Sequence, residues 1–148
     1  MKTKVILLIF SVFLMANSAF AQKKKEAQSI ISEKVAIRKY HNKAELQAMQ
    51  KGELLTLYIE RIESLVKTLP YISFATKPGI TMTTLGIPNT SDNRKMLETQ
   101  FEETDKYLES TKEFQNTFLP YSDTKNLIAA ILFYEEIMKS LHEFSEFR

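Results

Sequence analysis

Apolar positions recur at helical spacing in three stretches bounded by prolines. Pro70, Pro78, Pro88 and Pro120 punctuate the sequence. Proline ends helices because it lacks a backbone donor and clashes with the preceding turn. In the first stretch Leu46, Met49, Leu54, Tyr58, Ile62, Leu65 and Leu69 return every three to five residues. They define one face of a helix from about Asn42 to Thr68. Asn42 with Glu45 three residues on has the spacing of a capping box. Gly52 inside the run costs about 1 kcal/mol against alanine. Close approach of a neighbouring helix and a local kink each account for it.

The second helix is expected from about Thr90 or Asp92 to Phe118, capped from the polar run 89–93. Leu97, Phe101, Leu108 and Phe118 lie on or near one face, and Thr104, Thr111 and Gln115 fill the period. This stripe is thinner and more polar than the first. The third helix is expected from about Asp123 to Phe144. Leu127 to Tyr134 is apolar on every side, the pattern of a buried helix. It therefore belongs at the centre, touched by both others, and it is far shorter than the roughly 20 residues of a membrane span. Upstream, Glu26 to Tyr40 carries a narrow stripe of Ile30, Ile31, Val35 and Ile37. It reads either as a short fourth helix or as an extension of the first. The fold expected is all-α, an up-down bundle of three long helices.

One segment does not suit a plain bundle. Residues 70–89 hold three of the four prolines, two of the three glycines and a single charge, Lys77. Most bundle connections are roughly two to eight residues; this one is long and apolar. Lys77-Pro78-Gly79 suits a type II turn with glycine at positive φ, and the β-branched and aromatic residues around it allow a small hairpin. Leu69-Pro70-Tyr71 recurs as Leu119-Pro120-Tyr121, which reads as one helix-stop chemistry used twice. The loop's apolar side chains must be covered. They form either a lid packed on one end of the bundle or a surface for a ligand or partner. Tyr71, Phe74, Ile80, Met82 and Leu85 are the candidates in the loop. His142 joins them, because an up-down-up course brings the end of the third helix to the same side.

The N-terminus changes the charge picture. Lys2 and Lys4, an apolar run from Val5 to Ala16, and Ala19-Phe20-Ala21 form the pattern of a secretory signal peptide over residues 1–21. Lys23, Lys24 and Lys25 follow at once, and basic residues tend to stay cytoplasmic, so an uncleaved anchor is the rival. The expected division is a signal peptide over 1–21, a basic helix or tail over 22–41 and the bundle over 42–148. Cleavage near Ala21 would leave a periplasmic or secreted protein, with membrane contact only through the signal. The sequence has 20 basic and 18 acidic residues, and the signal carries two of the lysines. The remainder is formally neutral, which argues against nucleic acid as a partner.

Catalytic signatures are sparse. There is no cysteine, hence no thiol nucleophile, no cysteine-ligated zinc and no disulfide. Three scattered glycines make no phosphate loop. His41 with Glu45 and His142 with Glu146 have the i, i+4 spacing that metal sites use, although a glutamate-rich sequence yields it by chance. Met49 and His142 are the residues a haem bundle would use. Glu135 and Glu136 are adjacent and point to different faces, so they make no acid–base pair. No cofactor or metal is expected. The function expected is a non-enzymatic exported module that binds an envelope protein partner through the loop end or the N-terminal segment. A small-ligand or metal-binding bundle and a small periplasmic chaperone are the alternatives.

Overall fold

The structure, a computed structural model, describes residues 27–32, 35 and 37–146. The expected signal peptide and the basic run Lys23 to Lys25 lie outside the described residues. Among the described residues four helices follow in order: α1 Lys43–Ala48, α2 Lys51–Val66, α3 Ser91–Phe118 and α4 Thr124–Glu146. Short 3-10 turns occupy Leu69–Tyr71, Thr83–Leu85 and Leu119–Tyr121. The architecture is an all-α bundle of three long helices. Lys51 Nζ donates to the Pro120 carbonyl at 2.7 Å, which sets the start of α2 beside the turn that leads into α4. Tyr58 and Tyr134 then meet at 3.3 Å between hydroxyls, so α2 and α4 run parallel with α3 returning between them in sequence.

The first expected helix is two helices. Asn42 caps α1 as its spacing predicts: its Oδ1 accepts from Glu45 N–H at 2.9 Å, and Glu45 Oε2 accepts from Asn42 N–H at 2.8 Å. Met49 and Gln50 are extended, with ψ of 149° and 154°. Glu53 then accepts the Gln50 N–H at 2.7 Å and restarts the helix. A second polar-x-x-Glu start inside one apolar period thus converts a kink into a break. A Cβ on Gly52 would meet nothing within 4 Å, which removes close helix approach as its explanation; it sits in the first turn past the break. The break lets α1 fold back, so that Leu46 joins Leu54, Ile128 and Ile131 in one buried cluster.

The N-terminal stripe does not make an α-helix among the described residues before Lys43. Ile30, Ile31 and Val35 are buried instead against Tyr71 and Ala75, with Ile80, Leu97 and Phe101 packed around them. Ile30 and Ile31 lie in a bend next to the Ser29 bridge, and this irregular segment, the strap, lays both side chains into the core. The strap pairs with the loop. Ile30 N–H donates to Ile80 C=O at 2.8 Å, and Ser29 and Thr81 form an isolated antiparallel bridge. The loop therefore pairs with the strap rather than with itself, and no strand forms among the described residues. Gly79 takes φ 93°, as the turn at Lys77-Pro78-Gly79 requires.

The centre of the bundle is α2, not α4. α2 packs against both α3 and α4, whereas α3 and α4 make little direct contact. α4 buries Leu127, Ile128, Ile131, Glu135 and Met138 but leaves Phe133 62% exposed. An apolar run around a whole helix predicts central burial; here one side of it faces outward. α3 presents Leu97, Phe101, Thr104, Leu108, Thr111 and Gln115 inward, and only Gln115 becomes fully buried. Phe118, expected on that stripe, is 57% exposed.

Candidate functional site

Among the described residues a buried polar assembly joins three elements. Glu135 of α4 has no solvent exposure and Arg61 of α2 has 5%. Arg61 donates from Nε at 2.9 Å and from Nη2 at 2.8 Å to Glu135 Oε1. His41 Nδ1 lies 2.9 Å from the same oxygen, and the His41 backbone N–H donates to Oε2. Arg61 Nη2 also donates to the Lys39 carbonyl at 2.8 Å. The end of the strap is thereby fixed to both long helices by charge-assisted bonds. Burial alone would raise the Glu135 carboxyl, but the bonds from His41 and Arg61 outweigh it and hold its pKa below the ordinary value. Because Glu135 accepts at His41 Nδ1, the imidazole leaves Nε2 as its second polar atom.

Tyr40, between Lys39 and His41, packs edge-on to His142 at 6.5 Å, with Lys139 Nζ 5.4 Å from its ring centre. Its hydroxyl is buried and without a hydrogen-bond partner. Burial raises its pKa. Tyr58 and Tyr134 form a tyrosine pair with ring centres 5.5 Å apart and planes tilted by 56°. Burial and the shared hydroxyl contact push Tyr134 up to about 12.

Beside the cluster runs a cleft of about 1340 Å³, walled by the strap, by the exposed side of α2, by Phe101 to Asp105 of α3 and by the loop at Tyr71, Gly79 and Thr81. Its lining mixes apolar groups (Leu57, Val35, Ile37, Phe101) with the hydroxyls of Ser29, Ser64, Thr81 and Thr104. At the far end Lys67 Nζ is shared between Glu63 at 2.9 Å and Asp105 at 3.0 Å, tying α2 to α3. Burial lowers the Lys67 pKa and the two carboxylates raise it; the carboxylates prevail.

The six candidate residues divide. Tyr71 and Met82 are buried, at 7% and 6% exposure, and Ile80 is half-buried. Tyr71 and Ile80 pack with the strap and with Leu97 and Phe101 of α3, and of the three only Tyr71 lines the cleft. Phe74 and Leu85 point outward at 50% and 38% exposure. His142 is half-buried and packs edge-on to Tyr40. His41 pairs with Glu135 rather than forming a site with Glu45, which instead caps α1 and bonds Lys39. Glu135 is buried and Glu136 exposed, so the two do not act together. Among the described residues no group of three or more His, Asp or Glu side chains is placed to hold a metal ion. None of their helices is long and apolar enough to cross a membrane.

Two features are absent from the expectations drawn from sequence. The Arg61–Glu135 pair spans 74 residues, and nothing local marks it except a charged residue on an otherwise apolar period. Met96, Tyr107, Phe114 and Phe118 of α3 are exposed by 57% or more. Their spacings of eleven, seven and four residues place them on a second face of that helix, a signal visible in the sequence itself. The protein matches no protein-family model, no curated protein and no solved structure.

Proposed function

We propose that the protein is an exported, non-enzymatic helical module that binds a segment of an envelope protein in the cleft between the strap and the loop end. The single observation that carries this reading is the cleft itself: about 1340 Å³, lined by apolar side chains, hydroxyls and charged groups together. An extended peptide needs that mixture, since its backbone amides seek hydrogen bonds while its side chains seek apolar surface. Volume beyond roughly 300–1,000 Å³ also exceeds what a drug-sized ligand fills. His41, Arg61 and Glu135, the groups nearest to catalytic chemistry, are engaged with one another in holding the strap. Export is supported by the basic, apolar and small-residue pattern of residues 1–21.

Site-specific photocrosslinking in the source cells tests the reading. A photoreactive phenylalanine analogue at Ser64, inside the cleft, is expected to give one discrete protein adduct. The same group at Phe133, exposed on α4, is expected to give none. Adducts at Phe133 with none at Ser64 would move the binding face away from the cleft and overturn the proposal.

A further inference from the structure

Resting on that reading, we infer that the cleft recognises a carboxylate on the bound segment and seats it on Arg38. The other cations on the lining are already engaged. Lys39 Nζ lies 3.0 Å from Glu45. Arg61 is held by Glu135 and by the lining residue Glu60, and His41 by Glu135. Lys67 is shared by Glu63 and Asp105. Arg38 lines the same cleft and has no ion pair or hydrogen bond among the described residues. A guanidinium presents a planar fork that matches a carboxylate in two parallel bonds, and a lone ammonium cannot reproduce this.

The cleft is also polar along its length. Arg61 holds the Lys39 carbonyl, so the strap beside Arg38 lies at the level of Arg61 on α2. Lys67 lies six residues further, about 9 Å along the helix at 1.5 Å per residue. At that end two carboxylates share one ammonium, whereas at the Arg38 end the lining carboxylate Glu60 is balanced by Arg61 at 3.8 Å. A carboxylate is therefore favoured toward Arg38 and disfavoured toward Asp105, which fixes the direction of the occupant. Between the two ends, Leu57 and Phe101 supply apolar wall for its side chains.

A free peptide C-terminus and an aspartate side chain offer the same group. The test uses the full mature protein and three soluble pools of N-acetylated tetrapeptides, with Ala, Ser, Val and Phe mixed at the first three positions. One pool ends in leucine as a free acid, one in leucine amide and one in aspartate amide. Binding is read from amide shifts of Ser64, Phe101 and Thr104 at low salt. The free-acid or aspartate pool is expected to bind at least about fivefold more tightly than leucine amide, and whichever does so names the source of the carboxylate. Arg38 is exposed, so Arg38→Gln should fold normally and abolish the difference while leaving weak binding of the amide pool. Equal binding of all three pools, or a preference that survives Arg38→Gln, overturns the inference alone. If no pool shifts the cleft amides, the cleft reading itself fails.

Discussion

At the residue scale the protein depends on one carboxylate. Glu135 is fully buried and compensates the only guanidinium that is itself buried among the described residues. Removing one partner of such a pair leaves an uncompensated charge in a medium of low polarisability. Glu135→Ala should therefore cost about 3–5 kcal/mol in urea denaturation near neutral pH. Glu135→Gln keeps the shape and isolates the charge. The folded-state pKa of Glu135 lies below its unfolded value. Its stabilising contribution is therefore complete above the unfolded value and is lost as pH falls through the depressed folded value. The Gln variant should be weaker near neutrality and show a flatter acid limb than the parent. Parallel stability curves for the two proteins down that limb would show that the carboxylate charge contributes nothing.

At the scale of elements, α3 is the helix whose two faces do different things. Its inward face is half polar and buries only Gln115 fully. Its other face carries Phe114 and Phe118, stacked at 4.6 Å and 61% and 57% exposed. Side chains this exposed contribute little to the core, so Phe114→Ser with Phe118→Ser should change stability by no more than about 0.5 kcal/mol per site. The double variant should also leave any crosslink at Ser64 intact. A loss of several kcal/mol would mean that these rings pack against a neighbour that the fold does not show. The two Leu-Pro-Tyr turns belong to this scale as well. Both form 3-10 turns at the ends of long helices, with Ile72 and Ser122 N–H groups returning to Leu69 and Leu119 carbonyls. Proline early in the turn sets that conformation wherever the helix ends.

At the scale of the molecule, α2 is the shared wall: α4 lies on one side of it, α3 on another, and the strap crosses the remaining face to form the cleft. Regions with few buried contacts open first. Native-state hydrogen exchange should therefore show the middle of α3 exchanging before the facing turns of α2 and α4. Arg61 and Glu135 tie those two together, while α3 is joined to α2 through Lys67 and Asp105 at the surface. Equal protection along all three helices would contradict this order.

The sequence by itself determined what short-range chemistry controls: three proline-bounded long helices, the Asn42–Glu45 cap, the positive φ of Gly79 and the turn made by each Leu-Pro-Tyr. Each depends on groups within a few residues of one another. The cleft and the cluster of Arg61, Glu135 and His41 were not legible, because their members come from positions dozens of residues apart and carry no local pattern. The same limit produced the misplacements. Ile30, Ile31 and Val35 satisfy a helical stripe until the loop offers Ile30 a backbone partner in Ile80. The α4 run looks central until α2 takes that place. Tyr71 and Tyr121 state the division most simply. They share the Leu-Pro-Tyr triplet and the same 3-10 turn, yet Tyr71 is 7% exposed and Tyr121 is 88% exposed. Backbone sterics within the triplet fixed the turn; only the strap and Phe101, arriving from distant parts of the sequence, decided which ring left water.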